Sequence, residues 1–409
     1  MLRWIIFAII YLVLVVYGYQ AIKALTKNKW AYLSFIGLSI LVLSNFIFQF
    51  SVATNSRVLT QPKSYAFGFL LSFLSFGLVV TLILFSEDII RFFSGLYHKL
   101  SPSPKNFHIP SRRKFISQIA LGLATIPFSS LLYGMYKGKY DFRVLKYTLH
   151  FEDLPKAFDG YKITQISDIH SGSFDNREKI EYAVNLVNEQ KSDSIFFTGD
   201  MVNNKASEML PWKSLFGKLE AKDGVYSVLG NHDYGDYVEW NTQNEKLQNL
   251  EELKQIQKEI GFDLLLNDSR FIEKNGERIA IIGVENWGRG PFKKSGDLTK
   301  ASENINKDDF KILMSHDPSH WEDVVISDDY KYHLTLSGHT HGMQFGIEIP
   351  GWIKWSPIKW RYKYWAGIYK EMGQYINVNR GFGYLGYPGR VGIWPEITVI
   401  ELKKGKDLA

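Results

Sequence analysis

The chain has 409 residues, more than one hydrophobic core normally organises, so more than one domain is expected. It contains no cysteine, which excludes disulfides and thiolate metal sites and is compatible with either side of a membrane. The formal charge is +6 and the pI about 9.0; many of the cations flank apolar segments, so a membrane accounts for the excess at least as well as nucleic acid.

The first third reads as membrane. Trp4 to Ile22, Ala31 to Thr54 and Ala66 to Ser86 are uncharged apolar runs, each meeting the requirement of about 20 residues for a helix that crosses the hydrocarbon core. A fourth run, Phe115 to Tyr136, carries Gly122 and Pro127 in its middle and is the weakest of the set. The expected division is a transmembrane region of three to four helices over residues 1–138 and a second domain over 139–409. Lys23, Lys27 and Lys29 follow the first span, only Arg57 and Lys63 the second, and Arg91, Lys99, Lys105, Arg112, Arg113 and Lys114 the third. By the positive-inside rule the first and third loops face the cytoplasm, which puts the second domain outside it when all four runs span. Ser111-Arg112-Arg113-Lys114-Phe115-Ile116 before the last span resembles a twin-arginine export signal, with the twin-arginine translocase as the implied partner. An ordinary positive-inside cluster is the alternative.

From Lys139 onward short apolar runs alternate with polar helical stretches, the pattern of an α/β domain. Strands are predicted at Lys162–Ile166, Ile195–Phe197, Val225–Leu229, Ile279–Ile282, Lys311–Met314 and Leu334–Leu336. Helices are predicted at Arg177–Gln190 and Asn241–Ile260.

The residues just past the strand ends carry the chemistry. Asp168-Ile169-His170 comes after the first strand, Gly199-Asp200 after the second, and Gly230-Asn231-His232-Asp233 after the third. Ser315-His316 and Gly338-His339-Thr340-His341 come after two later ones. Five of the ten histidines fall in these positions. Ligands in open α/β sheets bind beyond the carboxyl ends of strands, so five strand ends can converge on one site. In extended chain the i and i+2 histidines of His-x-His share a face and can offer both rings to one volume. Carboxylate, imidazole and amide oxygen without thiolate suit Mn, Fe, Zn or similar divalent ions. The candidate ligands are too many for one ion, and a carboxylate such as Asp200 can bridge two; a two-metal site with ions about 3.5–4 Å apart hydrolyses phosphate esters.

These five motifs in this order resemble the calcineurin-like metallophosphoesterases over about residues 145–402. The resemblance implies a four-layer sandwich, two mixed β-sheets packed face to face with helices outside. It implies one metal on Asp168, His170, Asp200 and His341 and another on Asp200, Asn231, His316 and His339. His232 would act on the leaving oxygen with Asp233 orienting it, and the nucleophile would be a hydroxide held by the two metals rather than a side chain. Many members continue Gly-Asp-x-x-Asp, whereas this chain has Asn203 at the last position. The tail, Asn379-Arg380-Gly381-Phe382-Gly383, then Pro388-Gly389-Arg390, then Pro395-Glu396-Ile397 before a final strand, is similar to the bacterial membrane-associated branch. Some relatives there carry twin-arginine signals, and others are linked to cleavage of UDP-diacylglucosamine. Arg380 or Arg390 would either grip a substrate phosphate or brace the loop.

Trp352 to Trp365 interleaves aromatic and basic residues. It reads either as a lip resting on a bilayer or as aromatic packing of the domain's own loop. The expectation is a multi-pass protein of a bacterial inner or cell membrane with an extracytoplasmic catalytic domain. Its substrate would be a phosphoester or pyrophosphate in or near the membrane, a lipid-linked one among the candidates and head-group or nucleotide phosphates as alternatives, with no nucleic-acid partner expected. The rivals are a non-catalytic metal-binding sensor and a nuclease or nucleotide phosphodiesterase.

Overall fold

The computed structural model describes residues 2–51, 58–100, 110–349 and 351–406. The loop cations Arg57 and Lys105 and the end of the second predicted span at Thr54 lie outside the described residues. The chain divides into two compact units, one of residues 1–56 and 62–136, the other of 137–409 with the short segment 57–61.

The first unit is helical: α1 (Leu2–Leu25), α2 (Lys29–Ser51), α3 (Gln61–Leu100) and α4 (Pro110–Tyr136). All four are long and apolar enough to cross a membrane, and α4 stays helical through Pro127. Where they pack, small residues let backbones approach: Ala21, Ala120 and Ala124 are fully buried against Val80 and Leu84. The third predicted run is too short. α3 continues past Ser86 to Leu100, because no proline interrupts residues 63–100, so Arg91 and Lys99 lie on a helix and not in a loop. Arg113 of the twin pair donates to Glu87 Oε2 (2.5 Å) and Asp88 Oδ1 (2.7 Å), which gives the buried Glu87 carboxylate the partner it needs in an apolar bundle.

The second unit is built on fourteen strands among the described residues. They are β1 (Arg143–Phe151), β2 (Tyr161–Ile166), β3 (Ser194–Phe197), β4 (Val225–Ser227), β5 (Phe262–Leu264), β6 (Asp268–Lys274), β7 (Glu277–Gly283), β8 (Phe310–Met314), β9 (Leu334–Ser337), β10 (Ile347–Ile349), β11 (Ile353–Trp355), β12 (Gly367–Glu371), β13 (Gln374–Val378) and β14 (Glu396–Lys404). Two six-stranded mixed sheets run β1-β14-β2-β3-β4-β5 and β12-β13-β9-β8-β7-β6, and β10-β11 is a separate hairpin. β2 to β5 are mutually parallel, as are β7, β8, β9 and β13.

Strand periodicity decides the layers. Along β7, Ile279 and Ile281 join the core between the sheets, while Ala280 and Ile282 face an outer core with Leu313, Trp321 and Tyr332. Phe310, Ile312 and Met314 of β8 and Leu334 and Leu336 of β9 enter the same central core, against Ile163, Phe196 and Ile400 of the other sheet. The outer face of that sheet is covered by the helices Arg177–Asn188 and Gln243–Glu259 through Ile180, Val184, Leu253 and Ile256. This is the calcineurin-like sandwich expected from the motifs, with both sheets buried on two faces, which is why the central strands read as continuous apolar runs.

At one end of this core the strands are tied by amides. Gln165 Nε2 donates to Ser337 O (2.8 Å) and Gln165 Oε1 accepts from Asn377 Nδ2 (2.7 Å), joining β2 to β9 and β13. The parallel strands β2 and β3 of one sheet and β8, β9 and β13 of the other thus end close together, just before the loops that carry the motifs and the tail.

Candidate metal centre

The motif residues leave their strands by sharp turns. Asp168, His170, Asp200, His339 and His341 all have φ between 47° and 70°, five of the eleven non-glycine residues with positive φ among those described. Each such residue stores strain on the order of 1 kcal/mol, and the clustering of strain at one place marks a site rather than a packing accident. Glycine is required where these loops touch: a Cβ on Gly338 would strike Ser167 and Asp168, and one on Gly230 would strike Asp200.

Two groups of donors result, Asp168 with His170 and His341, all buried, and buried Asp200 and His316 with half-buried His339. In the first, His170 Nε2 lies 3.0 Å from His341 Nε2, which is 3.2 Å from Asp168 Oδ1. In the second, His316 Nε2 is 3.2 Å from both Asp200 Oδ2 and Asn231 Oδ1, and His339 Nδ1 is 2.8 Å from Asn231 Oδ1. Asp200 Oδ2 is also 3.6 Å from His170 Nε2, so one carboxylate oxygen stands between the groups. The His-x-His pair does not serve one volume. Left-handed backbone at His339 and His341 breaks the extended geometry, and the two rings separate into different groups.

The donors fit divalent cations. His316 Nδ1 bonds Thr198 O (2.7 Å), which places its proton there and aims the Nε2 lone pair inward. His339 Nε2 bonds Tyr362 Oη (2.8 Å), which leaves Nδ1 for the same volume. Lone pairs of two imidazoles, an amide oxygen and carboxylates facing one another at about 3 Å need a shared positive charge between them. Burial lowers the His316 ring, but the Asp200 carboxylate outweighs it and raises it to about 10. A cation taking that place displaces the proton.

His232 stands beside both groups, its ring edge-on to His170 at a centroid separation of 4.9 Å and against Tyr237 at 4.5 Å. Its Nδ1 is 2.7 Å from the main-chain oxygen of Asn203. Asp233 does not orient it. The Asp233 carboxylate instead accepts from the backbone N–H groups of Asp200, Met201, Val202 and Gly230, locking together the two loops that supply Asp200 and Asn231. Burial and then Asp200 push the Asp233 carboxyl up to about 7, while these amide donors oppose the rise. The imidazole takes the carbonyl because the chain folds Asn203 over it, and Glu208 fixes that fold by accepting from the N–H of Asn203 (2.6 Å) and Asn204 (3.3 Å). The departure at Asn203 thus falls where the main chain, not the side chain, touches the histidine. Its side chain bonds Ser173.

Tyr362 and Asp317 belong to none of the five ligand motifs. Asp317 directly follows His316 and is legible in hindsight; Tyr362, in the aromatic stretch, gives no local signal. Tyr362 Oη donates to Asp317 Oδ2 (3.4 Å) while accepting from His339, and Asp317 Oδ1 is held by Ser319. Removing such a support weakens a metal site by about 10-fold at the lower end of what is usual. Tyr362→Phe should therefore weaken cation binding at the Asp200–His316–His339 group by roughly that factor, read by metal titration of the purified protein, with any binding at the Asp168–His170–His341 group unaffected.

In the structure both arginines of the tail are held by internal partners. Arg380 is almost fully buried and committed to Glu348 and Glu396. Arg390 is fully buried and donates to the carbonyl oxygens of Arg380 (2.8 Å) and Gly383 (2.6 Å). Both brace the loops, because their guanidinium donors are already engaged by carboxylates in Arg380 and by main-chain oxygens in Arg390. The aromatic stretch divides: Tyr362, Tyr364 and Trp365 pack inside, whereas Trp352 and Trp360 are exposed.

Comparison with known proteins agrees with this geometry. Residues 161–343 match the family described as calcineurin-like phosphoesterase, and residues 2–139 match a probable calcineurin-like phosphoesterase transmembrane domain. An uncharacterized metallophosphoesterase of Bacillus subtilis, YkuE, is 30% identical over 302 residues, covering 72% of this chain and 98% of that protein. The chain belongs to the calcineurin-like metallophosphoesterases. A second uncharacterized metallophosphoesterase, from Helicobacter pylori, is 25% identical over 92% of this chain and 90% of its own length. A transmembrane protein with metallophosphoesterase domain from Danio rerio is 26% identical over 67% of this chain and 60% of its own. Calcineurin-like phosphoesterases use divalent metals, and the two donor groups of this metallophosphoesterase are candidates to hold them.

Proposed function

We propose that this metallophosphoesterase is a membrane-attached hydrolase of a phosphoester or pyrophosphate bond, with two divalent cations. One would be held by Asp168, His170, Asp200 and His341, the other by Asp200, Asn231, His316 and His339. The observation that carries the proposal is the single Asp200 oxygen between two donor groups, with His232 alongside. Bound there, the ions would lower the pKa of a water and neutralise phosphoryl charge. The protein supplies the rest. Asn203 O holds the Nδ1–H of His232, so Nε2 is the atom that exchanges a proton with the leaving oxygen. Asp233, Arg380 and Arg390 are positioning residues that hold the ligand loops still. A site that only stored or sensed metal would not need His232, which favours the enzyme over the sensor.

The bilayer-length helices favour a lipid-linked substrate, and the Lys/Arg balance around the helix ends favours an extracytoplasmic α/β unit. Because Arg113 is engaged by Glu87 and Asp88, the twin-arginine reading is less favoured than a structural ion pair. A C-terminal reporter active only outside the cytoplasm supports the orientation. One active only inside transfers the enzyme to cytoplasmic work, such as nucleotide-linked lipid precursors.

The test of activity uses the purified full-length protein on phosphomonoester, phosphodiester and nucleotide-sugar pyrophosphate substrates. Turnover is expected with added Mn, is lost on chelation and returns when metal is restored. Tight metal binding without turnover on any substrate, including one presented in a bilayer, would leave the sensor reading in its place.

A further inference from the structure

The loop that carries His339 and His341 continues into a segment whose polarity is inside out. Met343, Phe345, Ile347 and Ile349 are exposed at every second position. The residues between them turn inward and are polar or small: Gln344 donates to the carbonyl oxygens of Tyr387 and Gly389 (both 2.9 Å), Gly346 is buried, and Glu348 pairs with Arg380 (2.6 Å). A strand over a water-soluble core has the opposite alternation, apolar in and polar out. The antiparallel partner extends the face. Ile347 pairs with Trp355 and Ile349 with Ile353, so four apolar side chains share one side of the β10-β11 hairpin. Trp352, at the hairpin end, is 77% exposed and Trp360 76%. Of the four basic residues between 342 and 365, Lys354 stands opposite the inward Glu348, the one acidic residue there, and Lys363 pairs with Glu371 (2.8 Å), which leaves Lys359 and Arg361 on either side of Trp360.

We propose that the β10-β11 hairpin and Trp360 form an interfacial anchor that lies in the head-group region of a lipid bilayer and holds the metal-ligand loop at that surface. Three observations commit the face to lipid. Its composition, exposed tryptophan with isoleucine and flanking cations, is that of membrane–water interfaces and of anionic head groups. The chain itself carries four helices long enough to span that bilayer, and the α/β unit begins at the residue after α4 ends at Tyr136. The hairpin is also fastened to the ligand loop and does not hang from it: Ser356 Oγ, one residue past β11, donates to Gly342 O (2.7 Å), next to His341. A phosphoester whose phosphorus sits at head-group depth would therefore meet the site without leaving the membrane. The anchor rests on membrane attachment and not on the hydrolytic reading, so either can fail without the other.

The lack of native cysteine makes the experiment direct. Ile347→Cys, Trp352→Cys and Trp360→Cys are made one at a time in the full-length chain, labelled with a small fluorophore and reconstituted in nanodiscs of mixed anionic and zwitterionic lipid. Quenching by lipids that carry a nitroxide near the head group is measured against Tyr182→Cys and Leu247→Cys, exposed positions on the two helices over the other sheet. The proposal expects strong quenching at the three hairpin sites and background quenching at the two helical ones. It also expects Trp352→Glu with Trp360→Glu to abolish quenching at Ile347→Cys while bound metal is unchanged. Background quenching at all five sites overturns it. So does label self-quenching at the hairpin without lipid quenching, which would mean that a second copy of the chain covers this face.

Discussion

His232→Asn should reduce kcat by roughly 10²- to 10⁴-fold while the protein keeps its metal. The imidazole touches neither donor group as a ligand in either proposed set, and its Nδ1 is fixed by a backbone oxygen that the substitution leaves in place. Asparagine fills part of the same space against Tyr237, so the fold has little reason to change. The pH profile separates a chemical role from a structural one. Burial lowers the pKa of this ring from its usual value near 6.5, with Asp200 opposing, so its imidazolium fraction grows as pH falls. If it protonates the leaving oxygen, the wild type loses activity as pH rises and the variant lacks that alkaline limb. A variant with the same limb and only a lower plateau would remove His232 from the proton transfer. A leaving group that needs no proton, such as a nitrophenolate, should restore much of the lost rate.

Asp200→Asn should be the more damaging change, because it acts on both donor groups at once. The substitution removes the negative charge that faces His316 at 3.2 Å and His170 at 3.6 Å and halves the donor capacity of the oxygen pair. Loss of turnover by roughly 10³-fold or more is expected together with loss of bound metal from both groups. Metal analysis of the purified protein checks it. If one ion remains at full occupancy, Asp200 belongs to a single group and the shared-carboxylate geometry is wrong. The contrast with His232→Asn is the informative part: one variant is inactive and loaded, the other inactive and empty.

Order along the chain and local chemistry were legible without coordinates. Four apolar runs predict four helices, since a polar backbone crossing hydrocarbon has no alternative partners. Short, mostly apolar runs of three to five residues predict the central strands, and the ligand types after them predict where each strand ends. That rule points to Asp168, His170, Asp200, Asn231, His232, Asp233, His316, His339 and His341; the family resemblance selects seven of them as candidate ligands, leaving out His232 and Asp233, and the structure brings those seven together. Strands that lack a strong apolar run, such as β5, β6 and the β10-β11 hairpin, were not legible, because edge and surface strands owe their form to neighbours rather than to composition.

Only the tertiary structure could decide which atoms meet across long sequence separations. It separates His339 from His341, because the turns after Gly338 depart from extended geometry. It gives His232 a carbonyl partner at Asn203 and turns Asp233 toward backbone amides, and a backbone oxygen has no signature in a side-chain pattern. It withdraws Arg380 and Arg390 into the interior, where each meets groups that the linear chain places far away or conceals in the main chain. The sequence therefore determined which residues are candidate donors, a property of residue types, their spacing and the order of the motifs. Their pairing, the tautomers that result from it and the outward face of the hairpin were decided by packing, which couples residues that are distant in the chain.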